Sequence, residues 1–278
     1  MEVAALDVSV LLLFVAALAG AGIVAGLVAG LFGVGGGIVI VPVLFYVFTA
    51  FGVPEAVRMH VAVGTSLATI VVTSIRSLRA HLRTGAVDTA LLRSWILPVV
   101  AGVVAGSAVA DQIDGAALTV VFGVIALAVA ANMAFARAGW TIASDMPPRP
   151  LSDLIGAAIG FFSTLMGIGG GTFGNTVMTL YGRTIHQAVA TSAGLGLIIA
   201  VPGTLGFIVG GWGEEGVPPG SLGFVNLIAF ACIVPATIIM APIGARLAHK
   251  APQTALKRGF AAFLALVALR MLYGAIAA

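Results

Sequence analysis

The sequence predicts an all-α polytopic membrane protein made of two inverted-topology repeats of five segments each. Each repeat carries a glycine-tipped helical hairpin. Three observations predict this. The 278 residues are 60% hydrophobic and only 8% charged, against about 25% charged in a soluble domain. The apolar residues fall into ten runs with short polar breaks. Motifs in the first half recur, in the same order, in the second. So apolar a chain of this length cannot be covered by 23 charges, which excludes a soluble enzyme, a nucleic-acid binder and a disordered chain.

The ten segments follow in order. The first, 9–32, begins after an acidic start containing Glu2 and Asp7. A cleaved signal peptide wants a basic start, so this run is expected to stay as a helix. Segment 36–51 opens on a glycine cluster and ends before Gly52-Val53-Pro54; segment 61–80 starts beside His60 and ends among Arg76 and Arg79. Segments 94–110 and 117–136 are separated by Asp111 and Asp114. Pro147, Pro148 and Pro150 stop any helix in the polar stretch that follows. That divides the chain into a first repeat at 1–136, a linker at 137–150 and a second repeat at 151–278. The second repeat holds segments 151–167, 169–182, 187–211, 222–245 and 256–276. Its first arm has 16 residues between Pro150 and Gly167, or about 24 Å of helix. That is short of a hydrocarbon core of about 30 Å, so a re-entrant hairpin is expected.

The positive charges orient the segments. Arg76, Arg79, Arg83, Arg93, Arg137, Arg149, Arg183, Arg246, Lys250, Lys257 and Arg258 flank one set of loops, eleven of the thirteen Lys and Arg. Cytoplasmic loops are rich in Lys and Arg, so both termini are expected to be extracytoplasmic. The basic pI near 9.5 is therefore a topology signal and not a nucleic-acid signal. Cys232, the single cysteine, can form no intrachain disulfide. No metal or cofactor site is expected.

The repeat is visible by eye. Gly33-Val34-Gly35-Gly36-Gly37 recurs as Gly167-Ile168-Gly169-Gly170-Gly171. His60-Val-Ala-Val-Gly-Thr65-Ser66 recurs as His186-Gln-Ala-Val-Ala-Thr191-Ser192. Pro98 and Gly106 match Pro235 and Gly244, and Leu118, Phe122 and Met133 match Leu256, Phe260 and Met271. Five is odd, so the second repeat enters from the opposite face, and the charge map says the same. Inverted repeats of this kind build many secondary transporters, with the site where broken helices meet near the midplane.

The candidate substrate-binding residues come from these motifs. Gly33, Gly35, Gly36 and Gly37, with Gly167, Gly169, Gly170 and Gly171, would free backbone amides at helix N-termini, where an anion is favoured. Tight turns and close packing would use the same glycines. Thr65, Ser66, Thr191 and Ser192 offer hydroxyl donors, or hydrogen bonds to their own helix. Asn175, whose counterpart is Val41, is a buried amide in need of partners. His60 and His186, expected at loop–helix junctions where a solvated histidine is the plain alternative, and Arg270, inside the last segment but eight residues from the C-terminus and able instead to snorkel to the outer surface, are candidates for gating or proton-linked roles. No Lys-Ser/Thr follows the glycines, so a nucleotide loop is rejected. No carboxylate pair or hydrolase motif lies within the segments, so the chain is not read as an enzyme.

On the residues Gly26-Leu-Val-Ala-Gly-Leu-Phe-Gly-Val-Gly-Gly-Gly37, Pro42 and Ala62-Val-Gly-Thr-Ser66, with their second-half counterparts, the sequence resembles the sulfite exporter TauE/SafE family of membrane permeases. Thr176 stands where the first repeat has Pro42, a departure in the second hairpin. The resemblance implies an inner-membrane transporter of a small anion such as sulfite or an organosulfonate. The expected function is a secondary transporter, an exporter, with alternating access around a site between the two hairpins. An anion channel with the same lining, or a non-transporting membrane scaffold, is the alternative. The expected partners are a small anionic substrate and the lipid bilayer.

Overall fold

In the computed structural model, residues 8–32, 37–135, 141–248 and 253–277 are described. They form ten helices and one two-stranded ribbon: α1 (Val8–Phe32), α2 (Gly37–Ala50), α3 (Glu55–Arg83), α4 (Thr89–Gln112), α5 (Gly115–Phe135), α6 (Leu151–Leu165), α7 (Gly171–Leu180), α8 (Ile185–Gly210), β1 (Ser221–Leu222), β2 (Val225–Asn226), α9 (Leu227–Ala248) and α10 (Gln253–Ala277). The ten segments read from the sequence are the ten helices. Their ends move by a few residues, because caps and not hydropathy set them. Asp88, outside the apolar run, accepts from Leu91 N at 3.0 Å and starts α4 five residues early.

Six of the described helices, α3, α4, α5, α8, α9 and α10, are long and apolar enough to cross a membrane. Helices α2, α6 and α7 are shorter. The 10 residues of α7 rise only about 15 Å and the 15 of α6 about 22 Å. A Schellman turn ends α6: Ile168 N donates to Ser163 O at 2.9 Å and Gly167 N to Thr164 O at 3.1 Å. Gly167 takes φ +61° there, which a side chain would resist.

Close helix contacts come from small residues, as expected where lipid gives no hydrophobic drive. Gly22 and Gly26 of α1 lie against Ala236 and Thr237 of α9, and Gly160 of α6 meets Val99 O of α4. The main packing pairs are α1 with α9, α6 with α4, α5 with α10 and α3 with α8. Renumbering α1–α5 as α6–α10 turns this set of pairs into itself. The centre is α3, buried without a break from Met59 to Ile70, so the helix is enclosed on all sides. Five prolines lie inside helices: Pro42, Pro98, Pro202, Pro235 and Pro242. Neighbouring helices make such breaks tolerable in a membrane fold.

Candidate functional site

The site begins where the two hairpins meet. The turn after α6 passes Gly167 and Ile168, and α2 starts at Gly37 directly against it. A Cβ on Gly37 would stand 2.7 Å from Gly167 O and 2.9 Å from Ile168 Cα. The described ends of the two glycine clusters thus touch. Gly33, Gly35 and Gly36 lie outside the described residues, as do Arg137 and Lys250.

Beside this junction is a cavity of about 240 Å³, lined by Gly169, Gly170, Gly171 and Asn175 of the second hairpin. Ile70, Thr73, Ser74 and Ser77 of α3 form one wall; Val189, Ser192, Ala193 and Gly196 of α8 form another; Ile40, Thr237 and Ala241 complete it. Each wall follows an i, i+3, i+4, i+7 spacing, one face of a helix. The volume is below the roughly 300–1,000 Å³ of a drug-sized pocket, so it suits a small solute. No charged side chain among the described residues lines it.

Its donors are neutral. The helix α7 begins at Gly171, and its first amide to find a backbone carbonyl is that of Gly174, donating to Gly170 O at 2.8 Å. The amides of Gly171, Thr172 and Phe173 are the free N–H groups of the first turn, at the positive end of the helix dipole. Ser192 is 4% exposed, and its Oγ has no hydrogen-bond partner. The Oδ1 of Asn175, an acceptor, is also buried without one; only its Nδ2 could donate. Leaving such groups unpaired costs stability, and both of these residues line the cavity. Thr73 and Thr237 also face it, but each gives its proton to carbonyls of its own helix, Thr69 O and Ile70 O, or Ile233 O and Val234 O. They keep only lone pairs to offer.

The sequence-predicted residues divide sharply. Gly169, Gly170, Gly171, Asn175 and Ser192 line the cavity. Thr65, Ser66 and Thr191 do not; they join the two halves of the chain. Ser66 Oγ donates to Gly167 O at 2.7 Å. Thr65 Oγ1 accepts from Asn226 N, and Thr191 Oγ1 from Asp88 N, each at 2.9 Å. Asp88 and Asn226 hold matching positions: each accepts through its side chain from the amide three residues on, in α4 and α9. The same contact is made twice, once from each half. Gly170 also has a packing duty, since a Cβ there would stand 2.5 Å from Leu195 Cβ.

The two histidines were expected to be alike, at solvated helix ends. His186 is exposed in the first turn of α8. His60 is 4% exposed, 2.9 Å from Ala110 O through Nε2 and stacked on Phe224 at 4.8 Å. A carbonyl only accepts, so Nε2 carries the proton, and Nδ1 is buried without a partner. The ribbon β1–β2 carries Phe224 into the bundle, which hydropathy alone does not foretell. Arg270 is exposed on α10, its guanidinium 5.4 Å from the centre of the Tyr46 ring. Sequence reasoning missed Ser74 and Ser77. Their signal is the hydroxyl face Thr73, Ser74, Ser77, one helical step from Ile70 inside an apolar segment.

At the mouth of the second hairpin, Arg183 bridges two carboxylates. Its Nε lies 3.0 Å from Asp88 Oδ2 and its Nη1 2.8 Å from Asp145 Oδ1. The Met146 amide and Arg183 hold the Asp145 carboxyl below its usual range. The linker is tied to α7 there, with Ile142 N donating to Leu180 O at 2.7 Å.

Known proteins share this sequence over most of its length. A probable membrane transporter protein of Haemophilus influenzae is 36% identical over 255 residues, 90% of this chain and 95% of that one. The probable membrane transporter protein MJ0441 of Methanocaldococcus jannaschii is 29% identical, over 80% of this chain and 79% of its own. The probable membrane transporter protein YunE of Bacillus subtilis is 28% identical, over 68% of this chain and 77% of its own. No solved structure matches the chain significantly. With its apolar helices and these relatives, the chain is a multi-pass membrane protein of the transporter class. The family model described as sulfite exporter TauE/SafE matches residues 18–271, and the chain belongs to that family.

Proposed function

We propose that the protein is a secondary transporter that exports a small anion, sulfite or an organosulfonate, across the inner membrane. One observation carries this reading. The cavity gathers the first-turn amide of Gly171, the unpartnered Ser192 hydroxyl and the Asn175 side chain, with no carboxylate and no cation among its described lining residues. An anion stripped of water needs replacement hydrogen bonds. Neutral donors supply them without the deep electrostatic well from which an ion leaves slowly. The roles assigned here are direct donors for Gly170, Gly171, Asn175 and Ser192. Thr65, Ser66 and Thr191 hold the helices that present them.

The self-exchanging set of helix pairs supports an inverted repeat of 1–136 and 151–278. The cavity lies off centre, toward the C-terminal half of α3 and the N-terminal half of α8. With loop 81–93 cytoplasmic, this is an inward-facing state. Alternating access would carry the site past the Phe207–Phe224–His60 stack on the other side. Because α1 packs on α9 and α6 on α4, each moving body would draw helices from both repeats. The single-observation test is flux of sulfite, sulfoacetate and sulfate into liposomes holding the purified chain. Saturable flux, lost in the Asn175→Leu variant, is expected. Flux that rises linearly with concentration at channel rates, or no flux of any oxyanion, overturns the reading.

A further inference from the structure

We propose that Arg270 and Arg58 form a binding site for the phosphate of an anionic lipid, on the face of the bundle where α2 ends and α10 ends. The inference starts from an unneutralised charge. Arg270 belongs to the ion pairs of no carboxylate among the described residues. It makes no hydrogen bond there either; its guanidinium lies over the Tyr46 ring. A cation over a ring face is held without using its N–H groups, so the planar fork of five donors stays free. That fork matches phosphate oxygens two at a time.

The surroundings say which phosphate. Leu266, Leu269 and Tyr273 are 69%, 55% and 76% exposed. With Arg270 they form one i, i+3, i+4, i+7 stripe on α10. An arginine within an exposed apolar stripe of a membrane-spanning helix faces lipid, not a water-filled passage. Depth agrees. Arg270 lies 13 residues beyond Lys257 in a span that runs to Ile276. At 1.5 Å per residue that is about 20 Å across a core of about 30 Å. The long side chain reaches the headgroup level from there by snorkelling, and Tyr273, one turn on, is the kind of aromatic that sits at that level.

A second cation is linked to the first through α2. Arg58, half-buried in the first turn of α3, donates through Nε and Nη2 to Val53 O at 3.0 and 2.8 Å. Its guanidinium lies 5.5 Å from the centre of the Phe45 ring. Phe45 and Tyr46 are neighbours whose rings meet edge to face at 5.6 Å. One aromatic pair on α2 thus carries both arginines. Outside the basic loops, these are the only two Lys or Arg residues in the chain. A lipid-facing cation with a second on the same aromatic pair favours a headgroup with net negative charge over a zwitterionic one.

The test uses the purified full chain in a mild non-ionic detergent. It is titrated with phosphatidylglycerol and, separately, with phosphatidylcholine of equal chain length, and bound lipids are counted by native mass spectrometry. The parent should retain phosphatidylglycerol in preference. Arg270→Gln should weaken that retention about five-fold, the worth of one basic residue at a membrane surface. Arg270→Lys should fall between, and Tyr46→Leu should weaken it too by freeing the guanidinium. Equal retention by Arg270→Gln and the parent overturns the proposal. So does displacement of the lipid by inorganic phosphate or sulfite at millimolar level, which would mark a site for free anions. If Arg270→Gln changes the oligomeric state and leaves lipid retention alone, the face belongs to a second copy of the chain and the proposal falls.

Discussion

Ser66 Oγ reaches across the molecule to the carbonyl of Gly167, 2.7 Å away and 101 residues on in the chain. The bond ties the hydroxyl motif of one repeat to the glycine turn of the other. Gly167 O is also what a Cβ on Gly37 would meet, so both hairpins and α3 converge on one peptide group. Removing the hydroxyl leaves that buried carbonyl short of a partner. Ser66→Ala should cost about 1–2 kcal/mol of stability, read as a lower unfolding midpoint in detergent. An unchanged midpoint would separate the bond from the fold.

Ser192 occupies the repeat position of Ser66 but bonds to nothing. Ser192→Ala should therefore leave the unfolding midpoint near that of the parent. Its effect should fall on substrate, weakening binding by about 1 kcal/mol, the net worth of one hydrogen bond, or about five-fold in Kd. Thr191→Val should do the opposite, because Thr191 holds Asp88 N: lower stability, with a smaller effect on Kd. If the two variants exchange these profiles, the assignment of donor and strut is wrong.

Asn175→Asp changes one atom of a cavity-lining side chain and places a carboxylate where the substrate anion should sit. Flux at neutral pH should fall at least ten-fold while the folded yield holds. Two negative charges at contact distance repel strongly in so dry a site. Normal flux in this variant would move the anion away from α7.

The Asp145–Arg183 pair predicts a pH effect. The carboxyl of Asp145 titrates below its usual range in the folded protein. Its contribution is therefore present above the ordinary carboxylate range and lost as pH falls through the lowered folded value. Asp145→Asn should lower the unfolding midpoint slightly at pH 7. The difference from the parent should close in acid and shrink in high salt, since the pair is exposed. A difference that grows on acidification would reverse the assignment.

Orientation is tested by single cysteines on a Cys232→Ser background. An impermeant thiol reagent added outside intact cells should label a cysteine at position 215 and spare one at position 85. The reverse pattern would invert the topology and turn the cavity to the outside.

Hydropathy and composition suffice for the membrane class and the ten helices, because a helix in lipid must satisfy its own backbone and so needs a long apolar run. Charge placement and the recurring Gly and His-x-Ala-Val-x-Thr-Ser motifs are the grounds for proposing two related halves. Gly170, Asn175 and Ser192, which line the cavity, stood out as candidates because polar or backbone-exposing groups are costly inside such runs. What the sequence by itself could not decide was which of two matching motifs does which task. Ser66 and Ser192 each follow a threonine at the end of a His-x-Ala-Val-x-Thr-Ser motif. Ser66 meets a carbonyl from 101 residues away, and Ser192 meets an empty space. Thr65 and Thr191 became struts, and His60 went inside while His186 stayed exposed, for the same reason. A hydroxyl or imidazole has no fixed role until packing brings it an acceptor, and that acceptor comes from a distant part of the chain.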